Sequence, residues 1–374
     1  MADKTLTKTA AQIDVILGAI NVSNQTNFVK SLFIGDGGTH VDNTGTDAGD
    51  YNLIVGMGAG AAQTIAKRNT LVGANAGAAI TSGWANTFVG SGAGATGVGT
   101  GSLDVSGNGG EFYANTAVGE GSMGVATIAS YNTALGTNTL TKLTEGHNNV
   151  AIGVHALNEN LVGDANVAIG RNALYNNTGD YCVAVGANAG QNHASAGSIT
   201  AFGYAAGQKN NNIGANTYFG YMAGVENVAG YQNTFIGYQA GLSSTGKNQY
   251  YNTIIGHQAG FSAGNCEGNT YIGVSAGYTK TTGDYNTFIG YDAGKNGSQL
   301  ATAANSTGIG NGAYTTASNQ IVFGNSSVTD TYFGSVSGAS KIYASKARFT
   351  AIPTSASGLS AGDIWSDSGT LKIV

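Results

Sequence analysis

Proline is all but missing from this chain, one in 374 residues, and charge is scarce at 9%. A single proline rules out proline-rich linkers and leaves nearly every backbone N–H free to donate, as stacked strands require. The 15 basic and 20 acidic residues sum to a net charge of -5. With no basic stripe, nucleic acid is not an expected partner. The two cysteines, Cys182 and Cys266, are far apart and lack metal-ligand spacing, so neither a disulfide framework nor a metal site is expected. No apolar run approaches a membrane span, and Met1-Ala2-Asp3-Lys4-Thr5 lacks the apolar core of a secretory signal. Synthesis in the cytoplasm without membrane insertion is the expectation. Glycine is abundant, at 61 residues, but shows no G-X-Y period, and 41% hydrophobic residues are too many for low-complexity disorder.

What fills the chain is one phrase, repeated. Asn233-Thr234-Phe235-Ile236-Gly237-Tyr238-Gln239-Ala240-Gly241 has close variants at Asn86–Gly90, Asn149–Gly153 and Asn286–Gly290. Seventeen copies can be marked by a central glycine, from Gly35 to Gly324, and most steps are 17 residues. A fixed period of this kind signals a repeat architecture. The expected fold is an all-β parallel β-roll or β-solenoid of about 17 coils. Three regions follow: an N-terminal segment 1–26, a repeat shaft 27–328, and a C-terminal cap or tip 329–374. Longer steps predict loops at 95–114 and 295–305, and a smaller one at 242–251.

Positions are counted here from the central glycine as 0. Position −1 is always large and apolar (Val55, Val89, Ile152, Phe219, Ile289), and −3 is Thr in 11 copies and aliphatic in the rest. Position −2, on the opposite face of a strand, carries Phe88, Ala151, Tyr218, Phe235 or Tyr271. The strand is therefore apolar on both sides, and a 17-residue coil has one interior. The second face is expected to meet an identical chain. Sizes at −2 and +4 trade against each other: Phe88/Gly94, Phe235/Gly241 and Phe288/Gly294 in one sense, Ala151/Leu157 and Ala168/Leu174 in the other. Side chains that share one space trade volume in this way. The expectation is a common layer between chains, so Phe88, Ala151, Leu157, Tyr218, Phe235, Tyr271 and Phe288 are candidate trimer-interface residues. Asn at −4, in 12 copies, is expected to stack as an amide ladder.

The ends differ from the shaft. Thr9-Ala10-Ala11-Gln12 reads as a capping box, and Ile13, Ile16, Leu17 and Ile20 form one apolar stripe of a short helix, a candidate assembly element. After 328, Lys341, Lys346 and Arg348 cluster. Gly362–Ser366 and Thr370–Val374 around Asp367-Ser368-Gly369 predict a terminal β-hairpin that caps the stack.

No catalytic constellation is legible, so the chain is not expected to be an enzyme and no cofactor is expected. The five histidines are scattered, and Gly107-Asn108-Gly109-Gly110 lacks the Lys and Ser/Thr of a phosphate loop. Asp36, Asp42, Asp47 and Asp50 miss the nonapeptide calcium pattern. Surface remains. Tyr204, Tyr221, Tyr238 and Tyr291 occupy position +1 in a row with His257, and with Trp365 at the tip they are candidate receptor contacts, suited to carbohydrate or serving as corner packing.

The phrase Asn-Thr/Val-Ala-Ile-Gly, at Asn149–Gly153 and Asn166–Gly170, resembles the head repeat of the trimeric autotransporter adhesins (YadA-like). The resemblance implies three parallel β-rolls side by side. Ser318-Asn319-Gln320-Ile321-Val322-Phe323-Gly324-Asn325 is similar to the segment that precedes the self-cleaving chaperone domain of phage tail fibres and tailspikes. The ending Ile352-Pro353-Thr354 … Gly369–Val374 is similar to C-terminal motifs common in phage virion proteins. Together these imply a trimeric bacteriophage fibre, released on lysis. The N-terminus would attach it to other virion proteins, and the rod or tip would meet a host-surface glycan or protein. A structural or head-decorating fibre without a receptor, and an ice- or mineral-binding solenoid, are the alternatives.

Overall fold

The computed structural model describes residues 32–34, 51–63, 66–81, 83–95, 112–194, 197–211, 214–242, 248–280, 282–328, 354–355, 357–358, 364–367 and 370–373. The expected helix with Ile13, Ile16, Leu17 and Ile20, the acidic segment 36–50, most of the 95–114 loop, and Lys341, Lys346 and Arg348 lie outside these residues. The described residues form no helix. They wind into a parallel β-solenoid of about 14 turns with a ~17-residue period. The chain divides into two units, Met1–Ser327 and Val328–Val374. In the second, Ile364–Asp367 pairs antiparallel with Thr370–Ile373, the hairpin read from the sequence.

In the first unit, three-residue strands ending just before each central glycine stack into one 17-stranded sheet, each pairing in parallel with the next at a constant register. Thr87, Phe88 and Val89, for example, lie over Thr70, Leu71 and Val72. Hydrogen bonds between turns continue past the strand. The N–H at +2 donates to the +1 carbonyl of the preceding turn, as Asn75 does to Met57 (2.8 Å), and the N–H at +4 to the +3 carbonyl of the following one, as Gly60 does to Ala76 (2.9 Å). A proline at these points would break the ladder, and the only one, Pro353, stands outside the repeats.

Two columns fix the shape of each turn. At position 0 the backbone holds φ between +115° and +139° from Gly56 to Gly310. A Cβ there would lie under 3.0 Å from the glycine backbone one turn on at most steps, so two independent constraints demand glycine. At −4 the buried asparagines form the expected amide ladder. Asn149 Oδ1 accepts from the backbone N–H of Asn166 (2.9 Å), and its Nδ2 donates to Asn132 Oδ1 (3.0 Å) and to the Gly163 carbonyl (2.8 Å). That last bond ties the strand to the return path of its own turn. The same bond recurs from Asn52 to Ala66, Asn115 to Ala129 and Asn252 to Cys266.

This tie decides which face points inward. Residues −4 and −2 share a face by the alternation of a strand, so the −2 side chains are drawn inside with the asparagines. The structure therefore corrects one expectation. Phe88, Ala151, Leu157, Tyr218, Phe235, Tyr271 and Phe288 are all 0% exposed within a single chain and form its own core, not a layer between chains. The size trade is real but internal. Cβ atoms built on Gly94, Gly241 or Gly294 would fall under 3.0 Å from Phe88, Phe235 or Phe288 of the same turn. Where −2 is Ala, the buried Met123, Leu140, Leu157 and Leu174 take the space, even though +4 holds a left-handed φ of 48–52°. The two turns small at both places, Ala184/Gly190 and Ala201/Gly207, are filled by neighbours. Ile199 enters from the −4 column, and Tyr218 enters from the turn below.

Two outcomes follow from this packing. Ala151→Phe alone should destabilise by roughly 1–3 kcal/mol through overpacking, and adding Leu157→Gly should recover part of it in urea melts. Asn149→Leu strands the Asn166 N–H and the Gly163 carbonyl, and each orphaned group costs about 1–3 kcal/mol. Its melt should fall further than that of Ser327→Leu at the exposed C-terminal end of the unit.

Candidate interaction surface

With −4, −2 and +3 turned inward, positions −3 and −1 face out, and among the described strands they carry no charged residue. Position −3 is a column of Thr with Val150, Val167 and Val183. Position −1 runs Val118, Leu135, Ile152, Ile169, Val185, Phe202, Phe219, Ile236, Ile255, all partly or well exposed. Phe202 (45% exposed) and Phe219 (49%) stack with ring centroids 4.9 Å apart and planes within 7°. An uncharged face with a continuous exposed column of Val, Leu, Ile and Phe beside its threonines is the kind of surface that marks a contact site.

Across the glycine column, position +1 carries the aromatic row anticipated from the sequence. Tyr204, Tyr221, Tyr238 and His257 stack in succession at 5.3, 5.2 and 5.0 Å, with planes within 16°, 8° and 9°. The strand spacing is close to ring-stacking distance, so the repeat sets this geometry directly. Val274 interrupts the row, and Tyr291 stands exposed one turn beyond it. The rings cover one another's faces, so the ladder presents edges and phenol hydroxyls outward. Contact with a glycan here would be made by hydroxyls and ring edges. Of Trp365 only its strand is described.

Two further aromatic clusters, not singled out in the sequence, flank the longer steps. Trp84 stacks on Tyr113 (4.7 Å, 7°), and Tyr131 meets Tyr113 edge-on with its hydroxyl donating to that of Tyr113 (3.1 Å). Tyr231 meets Tyr250 and Tyr251 at 4.8 and 5.2 Å. The cue was present in the chain, since these residues occupy positions −6 and −5, outside the strand phrase that drew attention.

The buried titratable groups serve packing. His193 donates from Nε2 to the Gly197 carbonyl (2.5 Å), and burial lowers its pKa. Burial pushes the thiols of Cys182 and Cys266 up to about 11 and about 12, so neither is a ready nucleophile. Among the described residues no three His, Cys, Asp or Glu side chains gather as a metal site. Lys280 is almost wholly buried and, among the described residues, meets no carboxylate. Its Nζ donates to the carbonyls of Leu300 (3.1 Å) and Ala303 (2.6 Å) and stands 5.8 Å from the Phe288 ring centre, pinning the long step at 295–305 to the rod. Comparison with protein-family models and with curated proteins returned no match to this chain.

Burial lowers the Lys280 amine from 10.5 to about 8. The fold thus disfavours the charged form. This penalty is complete below about pH 8 and is relieved as pH rises from there toward 10.5. The buried thiols act oppositely above their ordinary value of 9.0, so a comparison with Lys280→Met isolates the lysine. Between about pH 7 and 9 the wild-type melting temperature should gain on that of Lys280→Met, and a pH-independent difference would contradict the assignment.

Proposed function

We propose that this chain is a homotrimeric bacteriophage fibre protein, a rod that attaches to the virion through segment 1–26 and adheres to the host cell surface. The observation that carries the reading is the uncharged outer face of the sheet, with its continuous apolar column at −1. Seventeen strands at about 4.8 Å, nearly all presenting three residues at about 3.3 Å, make a face on the order of 800 Å² per copy. A stable interface needs about 800 Å² per partner, and depletion of charge marks the centre of such patches. Three copies is the number that the resemblance to adhesin heads implies. The residues first assigned to the seam lie inside the coil, and the need for a partner passes to the other face of the same strands.

In this reading the host-facing chemistry belongs to the exposed tyrosine row, with its hydroxyl edges, or to the C-terminal unit. The partner is a surface glycan or protein. No membrane insertion, nucleic acid or cofactor enters the role, and the fibre does no covalent chemistry. It is assembled in the host cytoplasm and leaves with the virion at lysis.

A second reading is favoured by one observation. Thr at −3 and Val or Ile at −1 lie on an exposed regular sheet, the kind of array an ice- or mineral-binding solenoid would use. Thermal hysteresis in the purified protein would favour it, and a monomeric mass would accompany it.

Sedimentation equilibrium of the purified chain should return three times the monomer mass, and a monomer would sink the fibre reading. The purified rod should compete with phage for adsorption to host cells. Tyr204→Ser/Tyr221→Ser/Tyr238→Ser should lower that competition several-fold while leaving the particle mass unchanged.

A further inference from the structure

Almost every turn of the outer face looks like the one before it. With Thr or Val at −3 and Val, Leu or Ile at −1, a neighbouring chain displaced by one turn along the rod would find nearly the same contacts. Such a seam holds chains together without fixing their relative height, the familiar weakness of uniform strands. A closed cyclic assembly needs one height, because each residue must meet its symmetry mates in a single layer.

Phe202 and Phe219 break the monotony. They are the two aromatic residues in the −1 column between Val55 and Ile309, they occupy successive turns, and they stack on each other in the exposed face. Their flanks, Val185 above and Ile236 below, return to the aliphatic pattern. The face continues without charge on both sides of the pair, so the occupant it suits is the same face of another copy.

We infer that Phe202 and Phe219 form the registration point of the seam, the layers in which the rings of neighbouring copies meet and set the chains at one height. This rests on the oligomeric reading above and adds the device that aligns its members. In a displaced pairing the rings of one copy face aliphatic side chains of another. One layer is then overfilled and another left with a gap, both unfavourable in a close-packed contact. Bulky aromatic side chains clustered near the middle of an interface commonly carry most of its discrimination.

The test moves the anchor by one turn. Phe202→Ile/Ile236→Phe keeps two successive aromatic layers, now at 219 and 236, and leaves the composition of the face unchanged. Native chains with two different affinity tags, co-expressed, should give hybrid particles in the statistical proportion. Native and shifted chains, co-expressed, should form hybrids one turn out of step, so that Thr133→Cys in the native chain cross-links on oxidation to Val150→Cys in the shifted chain and not to Thr133→Cys. Hybrids cross-linked at matched heights, Thr133→Cys to Thr133→Cys, would overturn the inference while leaving the oligomer intact. A monomeric mass for the native chain alone would overturn the oligomeric reading itself. Should the shifted chain fail to accumulate, Phe202→Ile/Phe219→Ile supplies the second measurement. It should retain the native particle mass with a lower melting temperature and should lose discrimination against displaced partners. If this variant instead keeps the native melt and only its adsorption to cells falls, the pair faces the host and the inference is wrong.

Discussion

The asparagine at the mouth of most strands makes the bonds on which the rest of the rod depends. Its amide reaches in three directions: to the turn above, to the turn below, and across to the return path of its own coil. The first two hold the stack together. The third decides its inside from its outside, because drawing one residue of a strand inward draws in every second neighbour. The inner core of alternating large and small residues, the close approach of glycine backbones and the apolar outer sheet are all consequences of that choice. In a chain with so few charges, buried amides carry the specificity that ion pairs supply elsewhere. Among the described residues three salt bridges are found, and two of them, Lys142–Glu159 and Lys209–Glu226, themselves link adjacent turns.

Where the amide column lapses at Cys182 and Ile199, packing takes up part of its role. Cys182 still joins the column by donating its backbone N–H to Asn166 Oδ1 (2.9 Å), its Sγ keeps a weak cross-tie to the Gly197 carbonyl (3.5 Å) and takes the Ile199 N–H, and Ile199 follows it as a plain hydrocarbon. This is the stretch in which −2 and +4 are both small, so the volume missing from the core is restored by the residue that replaces the amide. The substitution trades hydrogen bonds for van der Waals contact at the one place where the interior had room for it.

The period, the parallel sheet, the amide ladder and the size trade between −2 and +4 were legible in the chain, because each depends only on the spacing of residue types. The direction of the core was not taken from it, although the cue was present. Asn at −4 and the aromatic at −2 differ by two positions and must share a face, so a buried amide implies a buried ring. Weighing hydrophobicity alone gives both faces the same claim, since Phe235 and Ile236 are equally apolar, and it is the polar residue that breaks the tie. The row of Tyr204, Tyr221 and Tyr238 could be placed by position. That its rings would hide their faces in one another follows from the distance between turns, which is backbone geometry and not sequence. The corner clusters around Trp84 and Tyr231 lay beside irregular steps, where counting by repeats gives no guidance.

Because nearly every turn presents its successor with the same glycine and the same register, and most with the same amide, a turn is an interchangeable part. A gene that gains or loses one 17-residue unit alters the reach of the rod by a single strand spacing, and it asks no residue elsewhere to adapt. Length in such a molecule is a quantity that recombination can dial, whereas its ends and its few irregular turns must be kept by selection.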